Sequence, residues 1–152
     1  MSDEDFMREA VNLARANIRD GGRPFAAVIV RDGEVIARAV NDMHLTNDPT
    51  GHAELQAIRQ ASQRLGTPRL DGSVMYASGH PCPMCLAAMH MCGVSSGFFC
   101  YSLEDGQVFG LGTTALYQQM TKPPQQQSLP LRPLKLAGES GLYTEWLEVQ
   151  QA

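Results

Sequence analysis

Apolar positions recur early in the chain at Phe6, Ala10, Leu13, Ala14 and Ile18. Steps of mostly three and four place them on one helical face. The pattern predicts a helix over Asp5 to Ile18, capped by Ser2 or Asp3 and ended by Gly21-Gly22. Two β-rich runs follow, Pro24 to Val30 and Glu34 to Val40, joined through Arg31-Asp32-Gly33. An Asp-Gly turn between such runs predicts a hairpin. A polar loop from Asp42 to Thr50 then leads to a second helix. Its apolar stripe is expected at Leu55, Ile58, Ala61, Ser62 and Leu65, with Thr50 or Asp48 as cap and Gly66 as stop.

Ser73 to Ser78 reads as a third strand, Pro83 to about Met91 as a helix ended by Gly93, and Ser96 to Tyr101 as a fourth strand. Strand, helix and strand at this spacing imply a parallel crossover. The sheet is therefore mixed, with helices on its faces. Glu104 to Thr114 is Gly-rich and reads as irregular, and Ala115 to Met120 as a short helix. Leu129 to Leu136 is punctuated by Pro130 and Pro133, so it is an edge strand at best. Leu142 to Gln150 reads as a final helix carrying the single Trp, Trp146. No repeat and no second domain is expected in 152 residues.

Composition narrows the class. Hydrophobic residues make up 43% and charged residues 18%, as in a globular core-forming chain rather than a disordered one. No apolar run reaches membrane-spanning length. Met1 to Asp5 is acidic and lacks the basic region and apolar core of a signal peptide, so a cytoplasmic location is the default expectation. The formal net charge is −4 and the Arg residues near the N-terminus are interleaved with acids. Nucleic-acid binders usually carry a basic stripe. A small uncharged substrate fits this balance better than a tRNA or DNA strand.

The candidate chemistry lies in two short stretches, Gly51-His52-Ala53-Glu54 and Pro81-Cys82-Pro83-Met84-Cys85. His52, Cys82 and Cys85 form a nitrogen and two-sulfur donor set. Three protein ligands with a fourth position left for water is the pattern of a catalytic zinc site. The two-residue gap lets both thiolates reach one ion from a single helical turn. Pro83 sits just inside the helix start, where its missing N–H costs nothing. The positive end of that helix favours thiolate over thiol. Glu54, two residues past His52, can work on a zinc-activated water as proton shuttle without taking a coordination position. Two blander readings compete. A Cys-x-x-Cys pair also suits a redox site, or a structural zinc closed by His80, His90 or Cys92. Cys92 and Cys100 read as small buried apolar residues.

His-x-Glu followed by Pro-Cys-x-x-Cys is the signature of zinc deaminases. With these residues in place, the chain resembles the cytidine-deaminase-like superfamily. Within it, the chain is similar to the small guanine deaminases and the tRNA adenosine deaminases. The likeness runs through Gly22 to Val30, Asn41, Asn47 to Glu54 and Pro81 to Leu86. It implies a three-layer α/β/α sandwich around a five-stranded mixed sheet. It implies one zinc-dependent deaminase domain over 1–152, with Zn2+ on His52, Cys82 and Cys85, and Glu54 as shuttle. The substrate implied is a nucleobase or related small heterocycle, guanine first. Asn41 would hold the base, Phe25 would line the pocket, and the Ala53 N–H would donate to it. Guanine deaminases are commonly dimers that exchange C-terminal segments, here 121–152. The runner-up functions are adenosine deamination in tRNA and a non-catalytic zinc-stabilised binding role.

The chain also departs from that pattern. His80 stands where the family has Glu, and could act as a donor near the metal, an additional base or a plain surface residue. Met89-His90-Met91 replaces large aromatics, and Met91 or His90 would alter which ring fits if it faced the pocket. Gly110 to Thr114 replaces an acidic pair that reads guanine's donors. The aromatic tail is missing, and Glu139 aligns loosely with a second acid near the site. These gaps imply kept chemistry and an altered substrate.

Overall fold

The computed structural model describes residues 1–152. Its elements run α1 (Asp3–Arg19), β1 (Ala26–Arg31), β2 (Glu34–Val40), α2 (Met43–Thr46), α3 (Ala53–Leu65), β3 (Ser73–Gly79), α4 (Pro83–Cys92), β4 (Ser96–Tyr101), α5 (Leu103–Gln107), α6 (Thr114–Met120) and α7 (Leu142–Gln151). The chain divides into two units, Met1–Gln118 and Gln119–Ala152.

In the first unit, α1 opens on a capping box. The Ser2 hydroxyl accepts from the Asp5 N–H, and the Asp5 carboxylate accepts from Ser2 N–H. The β1–β2 hairpin turns through Asp32 (φ 52°) and Gly33 (φ 75°), the paired left-handed conformation that suits strand twist. The strand order is β2-β1-β3-β4. β1 runs antiparallel to both neighbours, and β3 and β4 are parallel across the α4 crossover. β1 is buried on both faces. One face carries Val28 and Val30, which pack with Tyr76 against Phe6 and Ala10 of α1. The other carries Ala27 and Ile29, which lie with Met75 and Ala77 under Ala53, Ala57 and Ala61 of α3 and Met89 of α4. Period-two alternation thus feeds two helical layers from one strand. This is the expected three-layer α/β/α architecture.

Several local expectations need correction. The sheet has four strands rather than five. Leu129 to Leu136 forms no ladder, since Pro130 and Pro133 each remove a backbone donor. The buried stripe of α3 is Ala53, Glu54, Ala57 and Ala61, with Ile58 and Leu65 only partly covered. Small side chains let this helix lie close on the sheet, so the apolar maximum at Leu55 marks the flank rather than the contact. His52 itself is the N-cap of α3, with no side-chain cap bond. Two short helices sit in stretches expected as loop. One is α2; the other is α5, which has its own capping box of Ser102 and Asp105.

β4 is the last strand of the sheet and every residue of it is exposed. Phe98, Phe99 and Tyr101 are each nearly half exposed. The second unit contains a single 3-10 turn at Pro124–Gln126 and the helix α7. Its large apolar side chains are exposed, Leu129, Leu134, Tyr143 and Trp146 by 60% to 88%.

Candidate metal centre and the cavity beside it

The two motif halves are held by different means. The loop before α3 is locked by Asp42, whose N–H donates to the Gly51 carbonyl while its Oδ2 accepts from Gln56 Nε2. A Cβ on Gly51 would come within 2.3 Å of Asp42 Oδ1, so glycine is required there by close approach. His52 is delivered to the mouth of α3 by this lock. Cys82 is the N-cap of α4 with Pro83 at its first turn, and Cys85 lies one turn on, fully buried. The Tyr117 hydroxyl donates to the Pro81 carbonyl, pinning the start of that helix.

His52 Nδ1 is 3.5 Å from both Cys82 Sγ and Cys85 Sγ. The three donor atoms all lie within 4.8 Å of one another. Tetrahedral zinc with ordinary Zn–N and Zn–S bonds places nitrogen and sulfur about 3.6 Å apart. The donor set therefore fits zinc without rearrangement. His80, His90 and Cys92, the alternative closing ligands, are not part of the cluster. Cys92 instead hydrogen-bonds the Met89 carbonyl, and His90 is exposed at the far end of α4. The Glu54 carboxylate also stands outside the triangle. Three ligands and no fourth is the open arrangement of a catalytic site.

The electrostatics agree. Cys82 is drawn down to about 4, first by the hydrogen bond from Cys85 and then by His52, whereas Cys85 is pushed up by its bond to Cys82 and by burial. The pair so arranged holds one thiolate ready for a cation. His52 is raised by its contact with Cys82. Glu54 is 6% exposed, and burial raises its carboxyl above the ordinary range. A proton is held more readily there than on a surface carboxylate, as a proton carrier needs.

His52, Glu54 and Cys82 open onto a cavity of about 410 Å³, within the range of small-ligand pockets. Phe25 and Asn41 line it. A Cβ on Gly79 would meet the Phe25 ring at 2.9 Å, so the ring packs closely on the end of β3. Asn41 is 2% exposed. Its Oδ1 accepts from Met43 N–H at 3.1 Å, and its Nδ2 has only the Met43 sulfur at 3.5 Å. The turn chemistry at a strand end and the pocket-facing amide are thus one feature. The turn engages the oxygen once and leaves Nδ2 with only the Met43 sulfur as partner. Asn17 sets this corner, donating from Nδ2 to the Arg23 and Asn41 carbonyls. Ala53 is fully buried at the first position of α3, where the N–H groups have no partner within the helix.

His80 also lines the cavity. Its Nδ1 is 2.9 Å from the Pro81 carbonyl, and its ring packs against Phe99 and edge-on against Tyr117. Met91 does not face the cavity. It is 80% exposed at the end of α4, because the inward side of that helix is taken by Cys85, Met89 and Cys92. Glu139 lies exposed in the second unit. Sequence reasoning missed the wall supplied by Val11 and Ile18 of α1. Only long-range packing brings them here, so no local pattern marks them.

Residues 1–101 match the family model for the cytidine and deoxycytidylate deaminase zinc-binding region. The chain is 36% identical to a guanine deaminase of Bacillus subtilis over 147 residues, covering 96% of this chain and 94% of that one. It is 36% identical to a tRNA-specific adenosine deaminase of Aquifex aeolicus over 99 residues, covering 65% of this chain and 66% of the relative. Among solved structures, the X-ray structure of guanine deaminase from Bacillus subtilis superposes with a TM-score of 0.89, over 100% of this chain and 96% of that one, at 34% identity. The open ligand triangle and these likenesses agree, and the chain belongs to the cytidine and deoxycytidylate deaminase zinc-binding family as a guanine-deaminase-like hydrolase of C–N bonds.

Proposed function

We propose that the protein removes an exocyclic amine from a free nucleobase or related small heterocycle, releasing ammonia, with guanine to xanthine as the leading reaction. The observation that carries this reading is a buried carboxylate, Glu54, outside an open His52-Cys82-Cys85 triangle and lining a cavity of about 410 Å³. Zinc bound there supplies a Lewis acid that makes water a nucleophile near neutral pH. Glu54 takes the proton of the attacking water and gives it to a ring nitrogen. It later returns a proton to the departing amine, so that ammonia and a ring carbonyl result. Asn41 Nδ2 and the Ala53 N–H donate to acceptors on the ring, and Phe25 stacks along it. The test is ammonia release from a panel of nucleobases, nucleosides and amino-heterocycles, with an anticodon stem-loop of tRNA alongside. Guanine or another free base is expected to lead. Activity confined to the RNA would replace this reading with adenosine editing, and silence across the panel from zinc-loaded protein would sink it.

The whole chain forms one functional deaminase subunit in this reading, and residues 121–152 exchange between the two subunits of a homodimer. The support is the exposed apolar set in the second unit and along β4. Ordering so many apolar side chains without burying them carries an entropic cost with no return. Light scattering on the full chain should give twice the chain mass, and removal of 119–152 should return a monomer. A full chain that runs as a monomer at tens of micromolar rules the exchange out.

A further inference from the structure

The geometry points to His80 and Tyr117 as a pair of positioning residues that set the Cys82 thiolate through one shared acceptor, the carbonyl of Pro81. The inference rests on the metal reading of the His52-Cys82-Cys85 triangle and not on which ring is deaminated. His80 Nδ1 lies 2.9 Å from the Pro81 oxygen, and the Tyr117 hydroxyl donates to the same oxygen. A carbonyl can only accept, so the contact places a His80 hydrogen on Nδ1. Both lone pairs of that carbonyl are then taken, by side chains from two separate segments. Pro81 is buried, and the next residue in the chain is a metal ligand.

The need for such an anchor follows from how the ligands are mounted. His52 and Cys82 are the N-caps of α3 and α4, and neither side chain makes a capping bond. A side chain turned toward a metal is lost to its own helix, whose first N–H groups it would ordinarily satisfy. Fixing the ligand therefore falls to the residue before it. On the α3 side, Asp42 N–H donates to the carbonyl of Gly51, which precedes His52. On the α4 side, Pro81 has no N–H to give, so its carbonyl is the backbone group left to tie down.

The two donors are themselves held. The His80 N–H donates to the Tyr101 carbonyl at 2.9 Å, beyond the last β3–β4 pair, Gly79 and Tyr101. Its ring packs on Phe99 with centroids 4.6 Å apart and meets the Tyr117 ring edge-on at 5.6 Å. Rings already fixed by packing give up little further freedom when they bond the carbonyl. The contact also accounts for histidine at position 80. An ionised carboxylate, as the resemblance led one to expect there, has no hydrogen to give a carbonyl.

The experiment is a double-mutant cycle read by zinc affinity, measured by competition with a chelator. Y117F removes the hydroxyl and keeps the ring. H80F keeps the ring packing and removes the Nδ1 donor, and H80N keeps a donor near the same place. Each of Y117F and H80F leaves one donor on the carbonyl, so zinc should bind about threefold more weakly. H80F/Y117F leaves the carbonyl of a buried residue without a partner and should lose about 30- to 100-fold, beyond the product of the two. H80N/Y117F should return to the level of Y117F alone. In protein loaded with Co2+ instead of zinc, the thiolate-to-metal charge-transfer band should shift in H80F/Y117F and not in H80N/Y117F. Parental zinc affinity in H80F/Y117F overturns the proposal. So does weakened affinity with an unshifted band, since the effect would then not pass through the thiolate. Neither readout needs a substrate, so failure here is distinct from silence on the ammonia panel, which sinks the deaminase reading alone.

Discussion

Replacing Glu54 with Gln lowers the rate of ammonia release by about 100- to 10,000-fold, the usual span for losing a positioned proton-transfer group. Gln keeps the volume of the buried side chain, which is 6% exposed in the first turn of α3, so the fold and the packing of Ala57 and Ala61 are undisturbed. Zinc content stays at the parental level, because Glu54 is outside the ligand triangle. The loss falls on kcat rather than KM, since the carboxylate moves protons and does not hold the ring. Metal analysis by mass spectrometry beside steady-state kinetics reads both. Activity within tenfold of the parent would remove Glu54 from the proton path. Loss of zinc with loss of activity would make it a ligand instead.

That prediction is available because the reactive half of the site is legible in the chain. His52, Glu54, Cys82 and Cys85 are recognisable because zinc tolerates few donor types, and because one helical turn fixes the spacing of two thiolates. Packing then adds what the motif cannot. It leaves His80, His90 and Cys92 outside the donor cluster, which turns an open choice between structural and catalytic zinc into an open three-ligand site. The substrate half is less legible. Asn41 is suggested by its amide, yet which of its atoms faces the cavity depends on the Met43 N–H two residues on. The cavity wall from Val11 and Ile18 of α1 is silent in sequence, since only tertiary packing brings it to the site.

The fold shows the same division. The hairpin and the α4 crossover follow from short-range rules, Asp-Gly turn chemistry and strand-helix-strand spacing. The α3 contact does not, because hydropathy weights Leu55 above the alanines that touch the sheet. The run Phe98 to Tyr101 reads as a strand and is apolar, yet Phe98, Phe99 and Tyr101 lie about half exposed at the sheet edge. An apolar run reports that a surface wants cover, and cannot report whether the same chain supplies it.

Removing a ligand has the second large effect, on stability as well as on rate. Cys85→Ala abolishes detectable zinc and ammonia release together. Cys85 is fully buried and supplies one of three donors, so His52 and Cys82 are left as a two-ligand site. An ion bound only by the native state stabilises it by about 4 kcal/mol when free zinc stands a thousandfold above the dissociation constant. For a chain of this size that corresponds to roughly 10 °C in Tm. Chelation of the parent should therefore lower its Tm by about that much, and zinc should restore it. C85A should melt near the chelated parent and ignore added zinc. The comparison matters more than either value, because it separates lost metal from the small cavity a Cys to Ala change leaves. A C85A protein that keeps stoichiometric zinc would mean that another donor closes the site. The three-ligand reading, and the catalytic water position that depends on it, would then have to be given up.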